Sequence, residues 1–353
     1  MALKLGLNLG YWGIGPKGDE AVEAVQAAER AGFDSVWAAE SYGSDVVSVL
    51  AWLVPQTERI QLGAAIMQVP ARAPAAAAMA GCTIDALSGG RFIFGFGPSG
   101  PQVSEGWYGV PYAKPWGRTR EYVEIVREVV ARAERLSYAG EHFTLPLPDG
   151  EGKALKLNFH PVRNHIPIFL GAIGRKSVEL AAEIADGWIP IFSSPDAFEA
   201  TWGEHVETGL AKGGRERSEL EISPTVQVAI DGDLEAARGV VKAGLLLYLG
   251  GMGSRKTNFY VDLTHRFGFG GAADEVQSLY LDGKREDAYA AIPDELVDAT
   301  SLVGDEAEVA DRIGRYAAAG VDRLIVSPIS PDREQRLHTL ERLAELAKVS
   351  AAI

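Results

Sequence analysis

The chain has 353 residues and 37.7 kDa, with 47% hydrophobic and 23% charged residues, a balance that builds a core and excludes a disordered chain. Its 34 basic and 48 acidic residues leave a net charge of −14, which repels phosphate backbones and anionic lipid and argues against nucleic-acid and membrane partners. A single cysteine, Cys82, excludes an intrachain disulfide and a cysteine-based metal site, and the 6 histidines lack metal-ligand spacing, so no metal is expected.

In chain order, residues 3–9 predict a strand and 20–31 a helix closed by Gly32. Residues 34–39 predict a second strand, 45–54 a helix starting near Asp45, and 60–67 a third strand. An alanine-rich helix over 74–87 holds Cys82 as a buried, inert thiol, and a strand follows over 91–96. A long amphipathic helix is predicted over 115–135, and between 136 and 165 the pattern lapses into Pro, Gly and polar residues. Alternation resumes with strand 166–171, helix 176–185, strand 187–192, helix 197–211 and strand 220–230. From 234 to about 301 the chain reads as helical or irregular, without a clear strand, before helix 306–319, strand 322–326 and helix 334–347.

Eight short apolar strands, most followed by a helix, imply parallel pairing and right-handed crossovers. The expected fold is an (α/β)8 TIM barrel, one domain over 1–353 with insertions near 136–165 and 240–300; an open doubly wound sheet is the alternative. No apolar run approaches the roughly 18 residues of a membrane span. No signal peptide core precedes the first strand, so a cytoplasmic protein acting on a small molecule is expected.

In such a barrel the active site lies at the carboxyl ends of the strands. Those ends are rich in glycine and aromatics and poor in ionisable groups, which suits a flat ring and a phosphate better than a hydrolytic centre. Gly95–Gly100 spells G-x-G-x-x-G, yet a loop follows it and Glu121 lies in a helix, so a dinucleotide fold is not indicated. Gly97, Pro98, Ser99 and Gly100 are read instead as a ligand-lining loop. Lys256–Thr257 lacks the glycine that a phosphate-binding loop places before the lysine.

Residues 171–177 leave a strand and open a helix. Gly171, Ala172, Ile173, Gly174, Arg175, Lys176 and Ser177 are therefore a candidate phosphate site, set against an ordinary glycine-eased turn. Glu40 ends the second strand, where it either meets ligand or pairs with Arg72 or Arg91; Ser41 and Tyr42 follow it. Trp12, Trp107 and Tyr108 either stack on a ring or fill the barrel top. No G-x-S-x-G elbow supports a Ser-His-Asp triad.

The stretches 28–45 (AERAGFDSVWAAESYGSD), 59–79 (RIQLGAAIMQVPARAPAAAAM), 87–109 (LSGGRFIFGFGPSGPQVSEGWYG), 165–190 (HIPIFLGAIGRKSVELAAEIADGWIP) and 320–326 (GVDRLIV) together resemble the luciferase-like flavin and deazaflavin oxidoreductases, above all the branch that uses coenzyme F420. The resemblance implies a luciferase-like barrel with F420 across the strand ends and hydride transfer to an organic substrate. It also implies a non-prolyl cis peptide between Ala65 and Ile66 that backs the ring. Gln68, the 97–100 loop and 173–177 would line the ring or the phosphate. Glu40, with Ser41 or Tyr42, is the expected substrate-steering or proton-carrying group. Ser41 stands where sugar-phosphate dehydrogenases of the family place a histidine, Gly100 matches their strand-four acid, and 193–195 replaces their phosphate lysine, so a sugar phosphate is not expected. Alternatives are an FMN-dependent monooxygenase on the same barrel and a non-catalytic cofactor-binding relative. The apolar helix over 46–54 suggests a homodimer.

Overall fold

β-branched and aromatic runs lay down a ring of parallel strands, each too short and apolar to stand without a covering helix. The computed structural model describes residues 3–12, 18–252, 255 and 258–350. The strands along its main sheet are β1 (Lys4–Tyr11), β2 (Ser35–Ala39), β3 (Gln61–Ala64), β4 (Phe92–Gly97), β5 (Ile168–Gly171), β6 (Gly187–Ile189), β7 (Glu221–Ile222 continuing as Thr225–Ile230), β8 (Ser301–Gly304) and β9 (Arg323–Pro328), and Tyr138–Ala139 pairs with Thr144–Leu145 in a separate hairpin. They run in the order β6-β5-β4-β3-β2-β1-β9-β7-β8.

One interrupted strand closes the sheet. The first part of β7 pairs with β6, Ile222 opposite Trp188, and its second part pairs with β9, Thr225 opposite Ile325. The break falls at Ser223–Pro224, where proline offers no amide but its carbonyl still accepts from Ile325. The two ends of the sheet thus meet on one segment, and the architecture is the expected α/β barrel.

Three elements differ from the expected pattern. β8 pairs with β7, Gln227 opposite Ser301, and went unread because its four residues follow the helix Asp294–Thr300 with no turn residue between. The helix expected over 115–135 is Pro115–Ala131, stopped by Arg132 at φ 50, whose Nε donates to the Leu157 carbonyl at 2.9 Å. The third strand expected over 60–67 breaks after Ala64: the Ala65–Ile66 peptide is cis, and pairing resumes at Met67 and Gln68 opposite Phe96 and Gly97.

Two glycines of β4 make room for that break. A Cβ on Gly95 would lie 1.8 Å from the Ala64 carbonyl oxygen, and one on Gly97 would lie 2.2 Å from Cδ1 of Ile66. The Ile66 side chain joins Trp37, Ile93, Phe169, Ile189 and Ile325 inside the barrel. Val241, Leu245, Leu249, Val276, Leu296 and Val297 form a separate core for the helices between β7 and β8. Cys82 is fully buried, and burial pushes its thiol up to about 11, as an inert core residue requires. Among the described residues no helix is long and apolar enough to cross a membrane.

Candidate active site

The acid that ends β2 is fixed from three directions. Glu40 is 5% exposed and takes a bidentate ion pair from Arg72, at 2.6 Å and 3.0 Å, and the backbone amide of Gln68 at 2.9 Å. Arg72 also reaches Asp45 at 2.7 Å, and Asp45 caps the helix Val46–Leu53 through the amide of Ser48. Burial works against the Arg72 charge, yet the Glu40 and Asp45 carboxylates hold its pKa above its ordinary value. Of the two partners weighed for Glu40, the structure supplies Arg72; Arg91 instead binds the carbonyls of Ile60, Ser88 and Thr57. Both oxygens of Glu40 are thereby engaged.

The cis bulge lies beside this network. The Ala65 amide donates to Ala38 and the Ile66 carbonyl accepts from Glu40, so β2 pins the bulge from the side. Gln68, 4% exposed, donates through Nε2 to Ser99 Oγ at 2.8 Å, while its Oε1 is buried without a partner. Ser99 sits at φ 63, a left-handed conformation that turns its hydroxyl toward Gln68. Pro98 and Gly100 flank it, and Gly100 caps the short helical turn Pro101–Ser104, within a stretch expected to be loop. Gly97 and Gly171 both seat the Ile66 side chain; a Cβ on Gly171 would lie 3.1 Å from Cγ2 of Ile66. Their glycine identity answers to that packing.

After β5 the backbone carbonyls are spent and the amides are not. Ala172 accepts from the Trp188 indole at 2.8 Å, and Ile173 from the Trp202 indole at 3.3 Å and from Arg266 at 3.2 Å. No side chain caps the helix Arg175–Ile184 at Gly174, so the amides of Arg175 and Lys176 remain free donors at its positive end. The Ser177 hydroxyl donates to the Gly174 carbonyl at 2.7 Å and so holds the turn. Arg266, which no motif singles out, comes from the helix Phe259–Arg266 and keeps a buried Nη1 without a partner. Burial lowers its pKa, and the like charge of Arg175 adds to the effect, which places two cations at one helix start.

On the opposite side, tyrosines converge. Tyr11 ends β1. Tyr248 packs edge-on against Phe192 at 4.7 Å and Tyr260 at 4.8 Å, with Phe192 5.9 Å from Tyr260. Burial raises the pKa of all three hydroxyls, that of Tyr260 to about 12. Tyr42 is exposed and faces Trp107 at 6.5 Å, and the Tyr108 hydroxyl reaches the carbonyl of Ser41 at 3.4 Å. Trp12 packs edge-on against Trp52 at 5.2 Å, away from this cluster. Lys256 and Thr257 lie outside the described residues. Among the described residues no group of three metal-binding side chains is present.

The family model for luciferase-like monooxygenases matches residues 8–323. The chain is 48% identical, over 96% of its length and 99% of the relative's, to a Mycobacterium tuberculosis protein provisionally named a coenzyme F420-dependent oxidoreductase. It is 30% identical to the 5,10-methylenetetrahydromethanopterin reductase of Archaeoglobus fulgidus, covering 90% of this chain and 92% of that one. The solved F420-dependent tetrahydromethanopterin reductase of Methanopyrus kandleri shares the fold at TM-score 0.81 and 24% identity, over 97% of this chain and 98% of that chain.

Proposed function

Because the chain belongs to the luciferase-like monooxygenase family, we propose that it is an F420-dependent oxidoreductase, which moves a hydride between the deazaflavin coenzyme and a small organic substrate in the cytoplasm. The observation that carries this reading is a set of unspent polar groups on adjacent strand ends. Gln68 Oε1 is orphaned beside β3 and β4, and Arg266 Nη1 is orphaned at the uncapped helix start after β5. A planar ring with polar edges and a phosphate-bearing tail satisfies both, and a buried polar atom without a partner is costly otherwise.

When bound, the deazaflavin supplies a hydride acceptor or donor at its ring carbon. In this proposal the residues of the chain place it. Ala65 and Ile66 back the ring, and Gln68 and Ser99 hold its edge. The amides of Gly174, Arg175 and Lys176, with the side chains of Arg175 and Arg266, take the phosphate. Glu40 is a positioning residue: engaged by Arg72 and the Gln68 amide, it fixes the ring-binding segment. Ser41 and Tyr42 form the rim. Four of the apolar residues of the helix Val46–Leu53 serve the chain's own core, so a homodimer would rest on the exposed Trp52.

Gly174→Glu tests the phosphate assignment. Its φ is −82 and the nearest atom to a new Cβ is 3.5 Å away, so the fold accommodates a side chain. The added charge should weaken F420 binding about tenfold or more with thermal stability unchanged. Unchanged affinity would overturn the assignment.

A further inference from the structure

We propose that Asn258 is a positioning residue for the phosphate end of the cofactor, acting through Arg266. The inference rests on the F420 reading and extends it to a residue that touches no ligand.

Arg266 serves a phosphate only if its backbone is held still. Its helix, Phe259–Arg266, has eight residues, too few to persist on their own. The middle and the far end are tied down. Val261 is buried in the core of the inserted helices and Leu263 in the main core. Phe267, just past the helix, meets the Trp202 ring edge-on at 5.9 Å, and Trp202 and Arg266 donate to the same Ile173 carbonyl.

The near end depends on Asn258, which is 5% exposed and has every hydrogen-bonding position of its side chain in use. Oδ1 accepts from the amides of Tyr260 at 2.9 Å and Val261 at 3.3 Å, in the first turn of the helix. Nδ2 donates to the carbonyls of Tyr248 at 3.2 Å and Leu249 at 2.8 Å, in the wide turn Leu247–Gly251 that ends the preceding helix. One side chain thus rivets a helix end to a helix start. Two amides demand an acceptor and two carbonyls demand donors, a combination that a carboxamide meets. An aspartate would serve the amides and face the carbonyls with like charge.

The clamp stands between the two sides of the mouth. Tyr248 and Tyr260, whose backbones it joins, pack edge-on with each other and with Phe192 after β6. Arg266 lies at the other end of the helix, about 12 Å away at 1.5 Å per residue, on the carbonyl of the phosphate turn. With Asn258 in place the helix has a fixed start as well as a fixed end. Without it the first turn frays, and the unpartnered Nη1 of Arg266 loses the alignment that a charge-assisted bond requires.

The test titrates the full chain with F420, read by tryptophan fluorescence, and separately with inorganic phosphate, read by exchange of the Arg175 and Lys176 amides. Asn258→Ala should weaken F420 binding about tenfold, as Arg266→Met does. The double variant should be no weaker than Arg266→Met alone, because the two residues act in series. Asn258→Ser, which keeps an acceptor for the helix start, should recover part of the loss. Phosphate should slow exchange of both amides in the wild type and in neither Asn258→Ala nor Arg266→Met. Two controls separate positioning from lost stability. Asp233→Ala uncaps another inserted helix, and Tyr260→Leu removes a ring while keeping the amide that Asn258 holds. Both should lower the melting temperature with F420 affinity unchanged. Unchanged F420 affinity in Asn258→Ala, additive losses in the double variant, or an equal loss in Asp233→Ala would overturn the proposal. A wild type that binds phosphate but not F420, with the phosphate effect lost in Asn258→Ala, would refute the cofactor reading and support the positioning role. A wild type that binds neither would overturn both.

Discussion

The two sides of the barrel mouth are built from different chemistry. On the β2–β5 side, an ion pair, backbone hydrogen bonds and close glycine contacts fix the Ala65–Ile66 bulge, Gln68 and the turn at Gly174. On the side made by β1, the segment after β6 and the inserted helices, edge-on aromatic rings do the holding. Buried charge pairs admit one geometry and fail badly when halved, while T-shaped ring pairs are worth about 0.5–1.5 kcal/mol each and repack. The difference suits an invariant cofactor on the first side and a variable substrate on the second.

Arg72→Met should break the comparison most severely. It strands Glu40, whose side chain is only 3% exposed, and should cost about 3–5 kcal/mol in a denaturant titration. Gly95→Ala forces a Cβ onto backbone at 1.8 Å and should cost about 1–3 kcal/mol. Gly97→Ala should cost less, since its clash is with the end of the Ile66 side chain, but should weaken F420 binding by displacing that residue. On the aromatic side, Tyr260→Leu removes two edge contacts and should shift stability by only about 1 kcal/mol, with F420 affinity unchanged.

The smallest effect is one of pH. Despite burial, the Ser48 hydrogen bonds and Arg72 hold the Asp45 pKa below its ordinary 3.8. A depressed folded-state pKa stabilises the fold above 3.8, and that contribution fades as pH falls through the folded value. Asp45→Asn should therefore lower the melting temperature near neutral pH and narrow the gap to wild type in acid.

Much of the barrel was legible because its signals are local. Period-two and helical patterning, Gly32 at φ 98 after the first helix, and proline opening the helix Pro74–Ser88 each act within a few residues. The cis Ala65–Ile66 peptide was reached only through resemblance, since no local residue type demands it. What escaped depends on distant partners. Ser301–Gly304 is a strand because β7 offers it an edge. The Ser177 hydroxyl lies on the Gly174 carbonyl, a contact that no local pattern announces. Arg266 and Tyr248 lie in a segment whose sequence says only that it is helical, and 93 residues separate Arg266 from its partner Ile173.

The central claim is that the fixed side of the mouth is an F420 site. Titration of the protein with F420 and, separately, with FMN, followed by intrinsic tryptophan fluorescence, tests it most directly. Saturable binding of F420 at about micromolar concentration or below, with FMN at least about 100-fold weaker, is the predicted result. FMN binding as tight as F420, or no binding of F420, would contradict it.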